Sequence, residues 1–166
     1  QRRAENQQDV PVSVATVPSA RLDAYLAGAE DIRALATRVP GLYAESSNGR
    51  VAPRFYIRGL GNTDFDLAAS QPVSVIMDDI VKENVILKSF PLFDVAQVEV
   101  LRGPQGTLFG RNTPAGIVKI DTAKPGDEFN GFLSASVGTY FTTRAEGAVG
   151  GPVGENISMR ASALYQ

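Results

Sequence analysis

The sequence contains no cysteine, no histidine and no tryptophan. Without cysteine or histidine, the chain cannot form a disulfide, a thiolate or imidazole metal site, or the catalytic groups Ser-His-Asp and Cys-His. We find no nucleophile, base and orienting group that would act together. We therefore predict that the protein is not an enzyme and that these residues bind neither a cofactor nor a metal ion.

The sequence also lacks an excess of either charge and lacks long apolar runs. Its 16 basic and 18 acidic residues give a net charge of −2. Proteins that bind nucleic acids usually carry a basic patch, so we predict no nucleic-acid partner. Charged residues, glycine or proline interrupt every apolar run before the about 18 residues that a membrane-spanning helix needs. Any contact with a membrane must therefore use strands.

Frequent turn residues and short apolar segments predict a small α+β domain with a mixed β-sheet and short helices. Alternation predicts a strand at residues 10–14. Helical spacing predicts one short helix through Leu22, Tyr25, Leu26 and Ala29, and a second through Ile32, Leu35, Ala36 and Val39 that ends at Pro40-Gly41. Four further strands are predicted at residues 55–57, 73–77, 95–101 and 117–121.

Two predicted connections, residues 59–71 and 102–116, are long enough to suggest a function. The second is rich in glycine but lacks the Lys-Ser/Thr pair of a phosphate-binding loop. In the first, Asp64 stands where a dinucleotide-binding loop has its third glycine. Asp64 and Asp66 also lack the remaining ligands of an EF-hand, and they are expected to be solvated carboxylates.

After Lys124-Pro125-Gly126 the pattern changes to alternating segments at residues 131–140, 142–150 and 156–166, with a turn predicted at 150–154. In the last segment the odd positions from Ile157 to Tyr165 are apolar, while the even positions are polar except at Leu164. This dyad pattern and these lengths are typical of outer-membrane strands. A soluble antiparallel sheet with one wet face has the same pattern, so alternation alone leaves both interpretations open.

Two similar pairs, Arg58-Gly59 and Arg102-Gly103, are predicted at strand ends, with arginine last in the strand and a glycine that can adopt positive φ after it. A guanidinium group suits bidentate pairing with carboxylates. Two arginines that simply face solvent would fit the same pattern and would contribute little to stability.

Residues 98–116, VEVLRGPQGTLFGRNTPAG, closely resemble the plug signature of TonB-dependent receptors. Residues 9–14, 39–42, 55–59 and 72–79 resemble further plug landmarks in the same order. The resemblance implies a flexible leader at residues 1–8 after a TonB-box region, a plug domain at 9–125, and the first strands of an incomplete transmembrane β-barrel at 126–166. It also implies the outer membrane of a Gram-negative bacterium, with the plug inside the barrel lumen.

The resemblance also implies two sites. Contacts that lock the plug to carboxylates on the barrel wall are expected from Arg58, Gly59, Glu99, Arg102 and Gly103. Binding of a ligand is expected from plug loops at residues 61–70 and 81–87, and in particular from Asn62, Thr63, Asp64, Phe65 and Asp66.

The implied partners are TonB, reached through an upstream segment, with its inner-membrane energising complex, the chain's own β-barrel, and an extracellular ligand. A ferric siderophore is the expected ligand, and cobalamin, haem and oligosaccharides are alternatives. A soluble periplasmic binding module would explain the globular part, but it leaves the dyad strands after Lys124 unexplained.

Overall fold

A computed structural model describes residues 11–26, 31–47, 49–64 and 66–166. The chain divides into two compact units. The first comprises the residues up to Leu92 together with Gln97–Asp121, and the second comprises Phe93–Ala96 with Thr122–Gln166. The first unit holds a mixed sheet with short helices and the second an antiparallel sheet, which confirms the predicted α+β class.

The first unit contains seven strands and four short helices among its described residues. In chain order they are β1 (Ser13–Pro18), α1 (Ser19–Leu26), a 3₁₀ helix (Ile32–Thr37), β2 (Leu42–Glu45), β3 (Arg54–Ile57), β4 (Val73–Met77), β5 (Ile80–Lys82), a 3₁₀ helix (Val85–Lys88), β6 (Val95–Arg102), α2 (Gly106–Phe109) and β7 (Gly116–Thr122). Among the described residues, no helix has the length and apolar content that crossing a membrane requires.

Five strands form the main sheet in the order β1-β6-β7-β4-β5, and β2 and β3 form a separate antiparallel hairpin. Strand β1 runs antiparallel to β6, whereas β4 runs parallel to β7. Because side chains alternate along a strand, one face of the sheet collects fully buried valine and isoleucine residues. They are Val73, Val75, Val98, Val100, Val118 and Ile120. Burial of each such side chain stabilises the fold by about 1.5–3 kcal/mol.

The strands predicted at 55–57, 73–77, 95–101 and 117–121 are confirmed to within one residue at either end. The strand predicted at residues 10–14 instead begins at Ser13, and Val10 lies outside the described residues. The short strands β2 and β5 were not predicted. The predicted loop 102–116 contains α2, and the predicted loop 81–87 contains β5 residues and a 3₁₀ turn.

The first predicted helix is present as α1, with Ala29 outside the described residues, but the second is a 3₁₀ helix rather than an α-helix. The Asp31 side chain caps its start and accepts a hydrogen bond from the Arg33 backbone N–H at 2.8 Å. Its two buried residues, Ile32 and Leu35, are three positions apart, which matches the three-residue turn of a 3₁₀ helix. The helix ends at Thr37, three residues before the predicted stop at Pro40-Gly41, and β2 begins at Leu42.

The second unit is a three-stranded sheet in the order β10-β9-β8, formed by β8 (Asn130–Val137), β9 (Thr143–Gly154) and β10 (Ile157–Tyr165). The turn predicted at residues 150–154 is wrong, because β9 continues to Gly154 and the turn lies at residues 155–156. Pairing of β8 with β9 ends at Gly150, opposite Asn130. Pro152 lies beyond the part of β9 that pairs with β8. Its missing backbone N–H therefore costs no hydrogen bond to β8.

Candidate functional site

Arg102 is held by two segments that are distant in sequence. It is the last residue of β6, as the sequence predicted. Its Nη2 donates to the Pro40 carbonyl at 2.8 Å, and its Nη1 donates to the Ser13 hydroxyl at 3.3 Å. Ser13 lies directly opposite Arg102 in the antiparallel pairing of β1 with β6. The direction of the guanidinium group is therefore set by contacts on two sides.

Arg58 lies one residue beyond its strand rather than at the last position, since β3 ends at Ile57. Its φ of 53° and the φ of 80° at Gly59 form a tight left-handed turn, in which Leu60 N–H donates to the Ile57 carbonyl at 3.0 Å. The Arg58 backbone N–H donates to the Gly41 carbonyl at 2.8 Å. The turn leaves the Arg58 side chain exposed.

Gly41 lies between the two arginine side chains. A Cβ atom at Gly41 would lie 3.9 Å from Nε of Arg102 and 4.0 Å from Cγ of Arg58. Gly41 also has a φ of 77°, a conformation that glycine adopts without strain. We call Arg58, Arg102, Pro40 and Gly41 the arginine site. The sequence suggested only that Pro40-Gly41 stops a helix, because no local pattern links it to an arginine 62 positions away.

The charges of the arginine site are not neutralised within the described part of the chain. Among the described residues, neither Arg58 nor Arg102 has a carboxylate within ion-pair distance. Arg102 instead donates to a neutral carbonyl and a neutral hydroxyl. The site therefore presents the oriented guanidinium group of Arg102 and the exposed guanidinium group of Arg58, and both suit a carboxylate partner.

Glu99 and Gly103, the other predicted members of this site, occupy different surroundings. Glu99 is three residues from Arg102 along β6, so the two side chains point to opposite faces of the sheet. The Gln97 amide lies 3.4 Å from both the Glu99 and the Asp121 carboxylates. Gly103 has a φ of 97°, and its N–H donates to the Ala115 carbonyl at 2.9 Å, which closes the loop that follows Arg102.

Three of the predicted ligand-binding residues form a series of side-chain caps in the loop at residues 61–70, which we call the Asx loop. The side chains of Asn62, Asp64 and Asp66 each accept the backbone N–H two residues later, at 2.9, 3.0 and 2.9 Å. The Asn62 amide also donates to the Ser70 carbonyl at 2.9 Å, which closes the loop. Thr63 is exposed, and Phe65 lies outside the described residues. Such local bonds organise the loop without strand or helix pairing.

Tyr56 anchors the Asx loop to the β2–β3 hairpin, a role that the sequence analysis missed. Its hydroxyl oxygen lies 3.1 Å from the Asn62 carbonyl and also contacts the Glu45 carboxylate. Burial, and next the hydrogen bond to Glu45, raise the pKa of Tyr56 above its ordinary value. Gly61 packs so closely against the Tyr56 ring that any side chain at this position would overlap the ring.

The Asx loop borders a shallow pocket that Asp64, Asp66, Arg54 and Gln71 line together with neighbouring apolar residues. No group of three or more acidic, histidine or cysteine side chains in the described ranges is arranged to hold a metal ion. The pocket has both hydrogen-bond donors and acceptors. The space is only about as large as one water molecule, so the pocket is a polar surface feature rather than a ligand cavity.

The other predicted ligand-binding segment, residues 81–87, is held by hydrogen bonds of Glu83 and of the adjacent Lys88. Both oxygens of Glu83 accept hydrogen bonds from Arg111, at 2.9 and 2.8 Å, and this contact lowers the pKa of Glu83. Lys88 is only 2% exposed, and its Nζ donates to the Val73 carbonyl at 3.0 Å. Burial lowers the pKa of Lys88 to about 8. Between Glu83 and Lys88, Leu87 is 57% exposed.

The β8–β10 sheet has one face with no charged residue. Register places on this face Gly131, Leu133, Ala135 and Val137 of β8, Thr143, Ala145, Gly147, Val149 and Gly151 of β9, and Met159, Ala161, Ala163 and Tyr165 of β10. Its large side chains are exposed, with Leu133 at 87%, Val137 at 82% and Tyr165 at 71%. We call it the apolar face.

The opposite face of this sheet carries the charges. Arg144 and Glu146 form an ion pair at 2.8 Å, with side chains that are 21% and 22% exposed. Arg160 donates through Nε to Asp94 at 2.8 Å and through Nη1 to Asn130 at 2.8 Å. Charged residues are thus more shielded than the apolar ones, which is the reverse of a sheet that faces water.

Comparison with known proteins identifies the first unit. Residues 6–117 match the family described as TonB-dependent Receptor Plug Domain. The chain belongs to this plug-domain family. The predicted resemblance is therefore confirmed, on a match that includes both arginines and the Asx loop.

Relatives of the plug-domain chain include the pesticin receptor of Yersinia pestis, which is 31% identical over 122 residues, or 72% of this chain and 17% of the relative. The catecholate siderophore receptor Fiu of Escherichia coli K12 is 26% identical over 141 residues, or 82% of this chain and 17% of the relative. The crystal structure of the ferric yersiniabactin uptake receptor FyuA from Y. pestis superposes with a TM-score of 0.83 at 26% identity, over 92% of this chain and 24% of that one. The chain thus spans less than a quarter of the length of these relatives.

Proposed function

We propose that this chain is the gate and the first wall strands of a TonB-dependent transporter for a ferric siderophore in the outer membrane of a Gram-negative bacterium. In this proposal residues 1–8 are the leader, residues 9–125 are the plug inside the barrel lumen, and residues 126–166 begin the barrel. The observation that carries the proposal is the exposed apolar face of the β8–β10 sheet, which follows a plug-domain sequence in the same chain.

An exposed face without charge is expected for strands that meet lipid. A soluble periplasmic module would bury the apolar face and expose the charged one, so this alternative is disfavoured. The test uses two neighbouring residues of β8 on opposite faces. Leu133→Arg places a charge on the apolar face and costs about 2–4 kcal/mol if that position is near the bilayer midplane.

The matched control, Ser134→Arg, places the same charge on the other face, opposite Glu146. We expect Leu133→Arg to reduce the amount of receptor assembled in the outer membrane and Ser134→Arg to leave it near wild type. Membrane fractionation and heat-modified mobility of the intact receptor measure both. Equal assembly of the two variants would contradict the membrane role of these strands.

The arginine site is proposed to lock the plug to carboxylates of the barrel wall. Its support is that Arg102 has an oriented guanidinium group, that Arg58 is exposed nearby, and that neither forms an ion pair among the described residues. A cation left without its carboxylate is costly when buried, so breaking such a pair from one side weakens the closure. Glu99 is proposed to belong to the same closure through a separate contact on its own face of the sheet, and Gly59 and Gly103 provide the turns that follow each arginine.

Charge reversal tests the locking role. Arg58→Glu and Arg102→Glu in the intact receptor should each raise ion leak through the pore and reduce transport, because they place a carboxylate against a carboxylate. The exposed Arg50→Glu is the matched control for loss of a surface arginine. If both site variants leak and transport like wild type, the assignment of Arg58 and Arg102 is wrong.

The Asx loop and residues 81–87 are proposed to bind the ligand from the plug side. Asn62, Thr63, Asp64, Phe65 and Asp66 would supply hydrogen bonds and an aromatic surface to a rigid polar molecule. Support comes from the local bonds that hold Asn62, Asp64 and Asp66 in one arrangement, since preorganised loops lose less entropy on binding. Ligand binding would then shift the plug towards a state that presents the leader to TonB and its inner-membrane energising complex.

A ferric siderophore is the proposed cargo because similar receptors are named for a catecholate siderophore and for ferric yersiniabactin. Cobalamin, haem and oligosaccharides are the alternatives. Growth of a receptor deletion strain under iron limitation, with single siderophores as the iron source, distinguishes them. Restoration by the cloned receptor with one ferric chelate supports the proposal. Failure with every chelate, together with receptor-dependent growth when haem is the iron source or when cobalamin or an oligosaccharide is the limiting nutrient, contradicts it.

A further inference from the structure

The N-terminal strand begins at the arginine site. Strand β1 is the edge strand of the main sheet and pairs with β6 alone. Its first residue, Ser13, lies opposite Arg102, and its last, Pro18, lies opposite Gln97. The chain before Ser13 therefore enters the sheet beside the guanidinium group that the proposed lock uses.

The first residue of β1 has less apolar burial than the residues that follow it. Ser13 is exposed, whereas Val14 packs half-buried against the core cluster that includes Leu101 and Ile117, and Val17 is buried. Elements with few buried contacts open at the lowest free energy. An antiparallel edge strand that is drawn from its first residue separates one pair at a time from that end. The pair of Ser13 and Arg102 is thus the first to separate.

The guanidinium group of Arg102 donates to two acceptors that belong to different segments of the chain. Ser13 Oγ accepts a hydrogen bond from Nη1, and the Pro40 carbonyl accepts one from Nη2. The next carbonyl along the chain, that of Gly41, accepts a hydrogen bond from the Arg58 backbone N–H. We propose that Ser13 is a positioning residue that ties the start of β1 to Arg102. Drawing Ser13 away from β6 frees one side of the Arg102 guanidinium and loosens the arginine site.

This inference rests on the proposed function, in which the arginine site holds the barrel wall and a periplasmic partner draws on the leader. It adds a physical connection between force applied to the leader and the proposed contacts of the arginine site with the barrel wall. The connection is short, because one side-chain hydrogen bond joins Ser13, the first residue of β1, to Arg102.

A cysteine in β1 reports how often the strand opens, and none of the 166 residues is a cysteine. We would place Ala15→Cys in the intact receptor and measure its rate of modification by a small methanethiosulfonate reagent. When reclosing is fast, this rate follows the population of the open strand. Ser13→Ala and Arg102→Met are added singly and together.

Each single variant should raise the modification rate about two- to twelve-fold, the range that corresponds to loss of one hydrogen bond to β1. The double variant should be no faster than the faster single, because both remove the same contact. Ser13→Thr keeps the hydroxyl and should restore the wild-type rate. Rates that multiply in the double variant, or a wild-type rate in Ser13→Ala, overturn the inference.

The matched control is Thr16→Ala, which removes a hydroxyl from the same strand opposite Glu99 rather than Arg102. Its effect should multiply with that of Arg102→Met. Ion leak through the same variants separates this inference from the proposed function. If the effects of Ser13→Ala and Arg102→Met on the modification rate are not multiplicative but Arg102→Met causes no leak, the locking role of Arg102 is refuted and its contact with Ser13 is supported. Leak in Arg102→Met with uncoupled rates would retain the lock and refute the tie.

Discussion

Lys88 is the group whose protonation should change the stability of the plug most clearly. It is 2% exposed, and its Nζ donates to the Val73 carbonyl at 3.0 Å. Burial lowers its pKa from 10.5 to about 8, and the nearby carboxylate of Glu83 opposes part of this change. The folded protein therefore releases the Lys88 proton at a lower pH than the unfolded chain does.

The sign of the pH dependence follows from proton binding. Below pH 8 both states hold the proton, and the cost of burying the ammonium group is fully present. Between about pH 8 and 10.5 the unfolded state binds more protons than the folded state, so stability rises with pH. The difference between a pKa of 10.5 and one of about 8 corresponds to about 3 kcal/mol, of which about 2 kcal/mol is regained by pH 9.5.

The Lys88→Met variant keeps the length of the side chain and removes the charge. At pH 7 it should be more stable than wild type by about 1–2 kcal/mol, because relief of the buried charge exceeds the about 1 kcal/mol lost with the hydrogen bond to Val73. Scanning calorimetry or urea unfolding of the intact receptor in detergent, at pH 7 and 9.5, measures the difference. Wild type should gain stability over this interval relative to Lys88→Met.

The exposed Lys124→Met is the control, since it removes one lysine charge without relieving burial. It should follow the wild-type pH dependence. If wild type and Lys88→Met change by the same amount between pH 7 and 9.5, the buried ammonium does not carry the cost described here.

Other variants test the loop and the sheet. Gly61→Ala places a methyl group into the Tyr56 ring and should weaken ligand binding about tenfold or more by displacing the Asx loop, as measured by equilibrium binding, while ion leak remains at the wild-type level. Tyr56→Phe, which removes the contact with the loop carbonyl but keeps the ring, should have the smaller effect on the same affinity, and a larger one would contradict this order. Gly116→Ala should destabilise the plug by more than about 2 kcal/mol in urea unfolding. The φ of Gly116 is 143°, and a Cβ atom there would lie 2.9 Å from Ile57 Cδ1 and would overlap the Leu101 carbonyl oxygen. An unchanged unfolding midpoint would refute this prediction.

Local patterns were sufficient for the strands of the central sheet. The apolar runs that became β4, β6 and β7 are buried on one or both faces, so hydrophobicity alone marks their ends within a residue. Alternation likewise located β8, β9 and β10. Alternation did not locate the turn after β9. Residues Gly150 to Gly154 resemble turn residues but belong to β9, and Pro152 is tolerated there because the strand no longer pairs with β8 at that position.

The candidate site was predicted in part. Arg58, Arg102 and the Asx loop were selected from their positions near strand ends and in a long loop, and their locking and ligand-binding roles stay predictions. Tyr56, Pro40 and Lys88 were missed, because each acts through a partner that is remote in sequence or through burial. A tyrosine in a strand, a proline after a helix and a lysine near a loop have no local signal that identifies such partners.

The sequence by itself determined the class of this protein, because the plug signature is a property of consecutive residues. Only the tertiary structure decided that Arg102 meets Ser13 and Pro40, that Gly41 lies between two arginines, and that the uncharged face of the β8–β10 sheet is the exposed one. The physical reason is that periodicity specifies which side chains share a face, whereas strand order and register specify what that face meets.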